Sequence, residues 1–487
     1  MKWKIVLMVV AVGLAGLLLA MGIAHISDGS AGEQNLVAPA ATPDLIARGA
    51  YLARLGDCAA CHSIPGKPAY SGGLRMGIPI GAIYTTNITS DSNDGIGRMS
   101  LSDFDRALRF GVAEGHSLYP AMPFTSYYNT RPEDVAALYI YFKYGVAAAA
   151  VPNRPNDIVF PLSMRWPLTY WRWFFAPSPK PFAPSPGMDS QLAQGAYFAE
   201  GLGHCGECHT PRAIAMQMKA TTPAGGAAFL SGAVIENYFA PSLRNGGPGT
   251  LGAWSEQELA QFLETGANAQ GIAFGSMSDV IIHSTQYMTP ADALATAKYL
   301  KSLRSPGEEA AARFTYDTLE HTLLKNGDAS KPGAMIYLDN CAACHRPDGV
   351  GYEQVFPRLA GNPVVQAANP RSLISIVLDG SQTPRTARTP AQFTMPRFAW
   401  RLSDKDVADV VNFIRTSWGN SASPASSADV TKIRESLQPR RATMTCTSAQ
   451  NSPPARACQR DNPAFRRSPE IGADAIAHLS RPLPQPY

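Results

Sequence analysis

Three pentapeptides of one format constrain this chain more than any other feature: Cys58-Ala59-Ala60-Cys61-His62, Cys205-Gly206-Glu207-Cys208-His209 and Cys341-Ala342-Ala343-Cys344-His345. They use six of its eight cysteines. With Cys and His each near 2% of the 487 residues, one such pentapeptide is expected by chance on the order of 0.002 times. Two cysteines three positions apart on one helical turn point the same way, so both can bond the vinyl groups of one porphyrin. The adjacent His is then swung beneath the ring, where its imidazole can ligate iron. Zinc would need two further N or S ligands per site, and no second pair stands near these motifs. A thioredoxin-type dithiol has no use for the His and wants a βαβ context. The pattern therefore reads as three covalently bound haem c groups. Cys58, Cys61, Cys205, Cys208, Cys341 and Cys344 form the thioethers, and His62, His209 and His345 ligate iron.

The motifs recur at intervals of roughly 140 residues, the size of domains rather than of solenoid units. Upstream of each lies a short helical pattern with a small residue and an aromatic: Leu45–Arg54 with Gly49 and Tyr51, Leu192–Glu200 with Gly195 and Tyr197, and Gly333–Leu338 with Tyr337. Such a helix can pack closely against another. Downstream, Thr130-Arg131-Pro132-Glu133, Thr289-Pro290-Ala291-Asp292 and Ser403-Asp404-Lys405-Asp406 read as starts of closing helices, with a hydroxyl to cap the exposed amides and acids facing the dipole. Middle helices are expected at Leu101–Phe110, Ser255–Thr265 and Ser372–Leu378. The 41 Gly and 40 Pro make about 17% of the chain, against a usual ~12%. That favours short helices joined by long loops. The expected fold is mainly α: three tandem cytochrome c-like domains at 42–159, 188–306 and 327–420, with an aromatic, Pro-rich linker at 160–187.

Each iron then needs a sixth ligand, and Met with His is the usual pairing in cytochromes c. Candidates should lie roughly 50–75 residues downstream, on a loop before the closing helix. Met122 in Tyr119-Pro120-Ala121-Met122-Pro123-Phe124 and Met395 in Thr394-Met395-Pro396 fit, each beside a stiffening Pro. In the middle repeat Met277 is preferred and Met288 is the rival. The alternative for each is a methionine that merely packs. His116 and His283 are rival ligands better read as surface residues. Arg212 could pair with a haem propionate or be an exposed turn residue; Asn87, Ser242 and Arg358 occupy equivalent loops.

Two lysines in Met1–Lys4 precede an uncharged apolar run from Ile5 to Ala24, at the ~20 residues a spanning helix needs. Residues 1–24 are therefore an anchor helix or, with Gly22-Ile23-Ala24 as a cleavage site, a removed signal. Both readings export the rest to the periplasmic side of a bacterial inner membrane. A net charge of +4 without an arginine-lysine stripe excludes nucleic acid as partner.

The motif order, Tyr119-Pro120-Ala121-Met122-Pro123, Gly206-Glu207-Cys208-His209-Thr210-Pro211-Arg212, and Met395-Pro396 with Trp400-Arg401-Leu402-Ser403-Asp404 resemble the triheme cytochrome c subunits of bacterial membrane-bound dehydrogenases. The resemblance spans about residues 42 to 420. It implies a separate large catalytic subunit that oxidises an alcohol, aldehyde, gluconate, sorbitol or fructose with flavin, pyrroloquinoline quinone (PQQ) or a molybdenum cofactor. It also implies electron delivery to ubiquinone in the membrane, the same six thioether cysteines, proximal His62, His209 and His345, and distal Met122, Met277 and Met395. Two other readings stay open: a free-standing carrier to a terminal oxidase, and a haem enzyme with one labile sixth ligand. The chain departs from relatives that carry an apolar C-terminal anchor. Residues 421–487 are rich in Ser, Pro, Ala and Arg and are expected to form a flexible tail, with Cys446 and Cys458 either paired or free. In the linker, Trp166, Trp171 and Trp173 alternate with Arg165, Arg172, Phe174 and Phe175. This cluster suits an inter-domain seam, a membrane contact or a docking patch.

Overall fold

The computed structural model describes residues 2–32, 34–246, 250–305 and 314–437. Helix α1 (Lys2–Ser30) continues past the expected boundary at Ala24. Its Trp3–Ser30 stretch is long and apolar enough to cross a membrane. Side chains before Ala24 are almost all exposed, whereas Ala24 and Asp28 are buried.

The same element order then recurs three times. In the first repeat, α2 (Pro43–Leu55) leads into α3 (Cys58–His62), and α4 (Pro132–Ile140) closes the repeat. Helix α5 (Trp166–Phe175) follows in the linker. The second repeat has α6 (Ser190–Tyr197), α7 (Gly206–His209), α8 (Ser276–His283) and closing α9 (Pro290–Ser302). The third has α10 (Ala334–Asn340), α11 (Ala342–His345) and closing α12 (Asp404–Arg415). Between them lie short antiparallel strand pairs, including Ala233–Ile235 with Tyr238–Ala240 and Ser381–Gln382 with Thr394–Met395.

A glycine fixes each crossing of first and closing helix. A β-carbon on Gly49 would stand 2.0 Å from the Ala137 carbonyl oxygen, one on Gly195 2.0 Å from that of Ala295, and one on Gly333 2.2 Å from that of Asp409. Real side chains cannot approach backbone so closely, so only glycine lets these helices touch. Around the crossings lie three apolar clusters, centred on Leu52, Leu138 and Phe142, on Ala196, Phe229 and Tyr299, and on Tyr337, Phe413 and Trp418.

Two start signals behave as expected. Thr289 accepts from the Asp292 amide, and Ser403 and Asp406 cap each other reciprocally. The first does not. Pro132 takes the first helical position, so Arg131 is the cap residue and the Thr130 hydroxyl, one step too early, is buried without a partner.

The first and second repeats meet where Tyr51 hydrogen-bonds Asp292, Ser284 Oγ donates to the Leu55 carbonyl at 3.0 Å, and Tyr197 donates to Asp134 at 2.7 Å. The second and third meet where the Ser372 hydroxyl both receives the Phe239 amide (2.8 Å) and donates to the Phe239 carbonyl (2.9 Å).

The tail expected from residue 421 is ordered at its start. Helix α13 (Ser427–Leu437) buries Val430 and Ile433 against the third repeat, and Arg434 Nε donates to Asp404 at 2.7 Å. Arg434 also donates to the Ala399 and Leu402 carbonyls, and Thr431 to Asp404. Cys446 and Cys458 lie outside the described residues. The linker cluster is a helix with divided loyalties: Arg165 and Arg172 bond Ser117 in the first repeat, and Trp171 Nε1 donates to the Ala215 carbonyl in the second.

Candidate haem sites

Each Cys-x-x-Cys-His segment is a single helical turn ending in its histidine, and the three rings are held alike. Nδ1 of His62 meets the Thr86 carbonyl at 2.6 Å, that of His209 the Pro241 carbonyl at 2.7 Å, and that of His345 the Pro357 carbonyl at 2.9 Å. A carbonyl only accepts, so each Nδ1 carries the proton and each Nε2 presents its lone pair. Burial holds all three imidazoles below their ordinary pKa, in the neutral form that ligates metal.

The histidine backbone is fixed by a second shared contact. The carbonyls of His62, His209 and His345 accept the amides of Gly72 (2.7 Å), Gly232 (2.8 Å) and Gly351 (3.1 Å). All three glycines have positive φ, at +71°, +92° and +62°. Each lies against the loop that supplies the Nδ1 acceptor, so a β-carbon on Gly72 would be 2.4 Å from the Thr86 carbonyl carbon. Gly72→Ala is therefore expected to cost ~1–3 kcal/mol and to move one reduction potential by turning the His62 ring. Coincident denaturant midpoints and potentiometric titrations for variant and parent would contradict this.

Burial pushes the thiols of Cys58, Cys205 and Cys341 up to about 12 and those of Cys61 and Cys208 up to about 11. Such thiols are protonated at neutral pH. In the third repeat Cys341, Cys344 and His345 line a mostly apolar cleft with Met395, Phe393 and Phe398, and the second repeat adds Ile272 and Phe274. The empty space among these residues is about 680 Å³, part of it open to solvent. Paired cysteines, a directed imidazole, a thioether and apolar walls fit a covalently held porphyrin.

Met122 ends a turn from Tyr119 and packs with Cys58 and Ala59 against the first core. Met277 is half-buried in the first turn of α8. Its rival Met288 is buried with Leu55, Phe198 and Ala293 and serves packing. His116 is exposed in a hairpin and His283 is half-buried at the end of α8. Arg212 is engaged by Glu207 at 2.6 Å, the acid inside its own motif, which also accepts from Thr125 and Ser126 of the first repeat. Sequence reasoning missed the Thr86, Pro241 and Pro357 carbonyls, each one residue before Asn87, Ser242 and Arg358. The equivalence of those loops was the available signal.

A family model described as Cytochrome c matches residues 330–418, the third repeat. The alcohol dehydrogenase (quinone), cytochrome c subunit, of Komagataeibacter europaeus is 50% identical over 408 residues, covering 82% of this chain and 87% of that protein. The gluconate 2-dehydrogenase cytochrome c subunit of Pantoea cypripedii is 49% identical over 396 residues, covering 80% and 90%. The chain belongs to the family of dehydrogenase cytochrome c subunits. The fructose dehydrogenase cytochrome subunit of Gluconobacter japonicus, 34% identical over 416 residues, covers 80% of the chain and 82% of its own length. Membership and the matched cytochrome c domain make the chain an electron-transfer cytochrome with covalently bound haem c.

Proposed function

We propose that the chain is the triheme electron-transfer subunit of a membrane-bound dehydrogenase on the periplasmic side of a bacterial inner membrane. It carries electrons from a large catalytic subunit of flavin, PQQ or molybdenum type to ubiquinone. The observation that carries this reading is the threefold repetition of one histidine frame, with Nδ1 on a loop carbonyl and the histidine carbonyl on a positive-φ glycine. A frame repeated in that detail implies one use at all three places. Haem c, when bound, carries a single electron by change of iron valence. The cysteines Cys58, Cys61, Cys205, Cys208, Cys341 and Cys344 would hold it covalently, His62, His209 and His345 would ligate from one side, and Met122, Met277 and Met395 from the other. The two seams give the repeats the order one, two, three.

Met122→Ala is expected to leave all haem attached and to lower one reduction potential on the order of 0.1 V, within the ~0.8 V that axial ligands span. Three unchanged potentials would reject that ligand. The function itself is tested by purifying the chain from membranes. A large redox subunit should accompany it, and ubiquinone reduction should require both. Reduction of a terminal oxidase by the chain alone would favour the free-standing carrier. Binding of cyanide or CO to the native protein would favour a haem enzyme.

A further inference from the structure

Helix α5 (Trp166–Phe175) sits where the apolar anchor meets the folded body. Asp28, on the last turn of α1, is buried and accepts from the Ser117 amide (2.8 Å) and hydroxyl (2.8 Å), from Thr169 Oγ1 (2.8 Å) and from Arg172 Nη2 (3.0 Å). Arg165, Thr169 and Arg172 face Ser117 of the first repeat. Tyr170 and Trp173 face α1, donating to the Ala20 carbonyl (2.9 Å) and Ser27 Oγ (2.9 Å). Trp171 turns to the second repeat, where it bonds the Ala215 carbonyl, and Phe175 packs on the Trp171 ring.

The apolar rings beside these contacts keep much of their surface exposed. Phe174 is 75% exposed, Trp173 45% and Phe175 38%, and the loop around Ala215 adds Ile214, fully exposed, and Met216 at 60%. Contacts run unbroken from Ala215 through Trp171 and Phe175 to Phe174. The height of this patch is fixed by α1. A bilayer core takes ~20 apolar residues, which the run Ile5–Ala24 supplies, so the run ends between Ala20 and Ser27, the residues that Tyr170 and Trp173 grip. Tyr and Trp are the residues of the membrane–water boundary.

We propose that the outward face of α5 and the Ile214–Met216 loop rest in the headgroup–acyl boundary of the bilayer, forming a second membrane contact that sets the tilt of the cytochrome body on its anchor. The proposal rests on the anchor reading of the N-terminus, since the Ala20 carbonyl that Tyr170 grips lies before Ala24.

The test uses the full haem-loaded chain in phosphatidylethanolamine–phosphatidylglycerol vesicles doped with a phospholipid carrying a diazirine on its acyl chain. After illumination, lipid adducts are mapped by mass spectrometry. Adducts are expected on α1 and on peptides containing 173–175 and 214–216, but not at Trp400, which is 78% exposed on the third repeat. F174D/I214D, altering two exposed side chains, should lose the patch adducts while keeping those on α1 and an unchanged Soret spectrum. Adducts on α1 alone would overturn the proposal and leave the face to a protein such as the catalytic subunit. Equal labelling of Trp400, or no adducts on vesicle-bound chain, would overturn it as well.

Discussion

Gly195→Val is expected to destabilise the chain by about 3 kcal/mol or more. The added β-carbon would stand 2.0 Å from the Ala295 oxygen and 2.8 Å from the Tyr299 β-carbon. Neither neighbour is the end of a flexible side chain, so relief requires α6 and α9 to separate. Separation would open the core around Phe229 and Tyr299 and disturb the Tyr197–Asp134 bond to the first repeat. Urea unfolding followed by Soret absorbance and far-UV circular dichroism checks this. A midpoint matching the parent's would refute the close crossing. Gly49 and Gly333 meet the same obstacle, so valine at either should behave alike.

Arg415→Met should cost about 3 kcal/mol, from buried acceptors left unpaired. Arg415 is fully buried at the end of α12. Its Nε donates to the Ser423 carbonyl (2.8 Å) and its Nη1 to those of Val365 and Ala367 (2.9 Å each). Burial lowers its pKa from the usual arginine value, yet carbonyls from two separate segments keep the cation in place. Methionine fills similar volume but donates nothing. Arg415→Lys should rescue little, because one ammonium on a flexible stem does not reproduce the planar fork. Hydrogen exchange should show early loosening of α13, since Ser423 lies on the approach to it. Parent-like stability and exchange in both variants would show that the guanidinium does not hold this end together.

Where the chain places chemistry in side chains, the sequence was informative. Cys-x-x-Cys-His fell on three helical turns, and the small-then-aromatic helices named the crossings, because Gly49, Gly195 and Gly333 act through the missing side chain itself. What escaped was carried by backbone. The Nδ1 acceptors are carbonyls 24, 32 and 12 residues beyond their histidines, and a carbonyl leaves no mark on residue type. Thr130 misled by a single position, since a Pro one step later moved the helix start. Helix α13 was hidden in a Ser- and Pro-rich composition, because Val430 and Ile433 become a buried face only against the core of the third repeat. The linker tryptophans stand out in the sequence, but their division among α1, the first repeat and the second does not follow from alternation alone.

The central claim is that one attachment frame is used three times. Alkaline pyridine spectra of the purified full chain, from cells competent in cytochrome maturation, measure covalent haem against protein mass. The structure predicts three haems per chain; a ratio of one or two would contradict it.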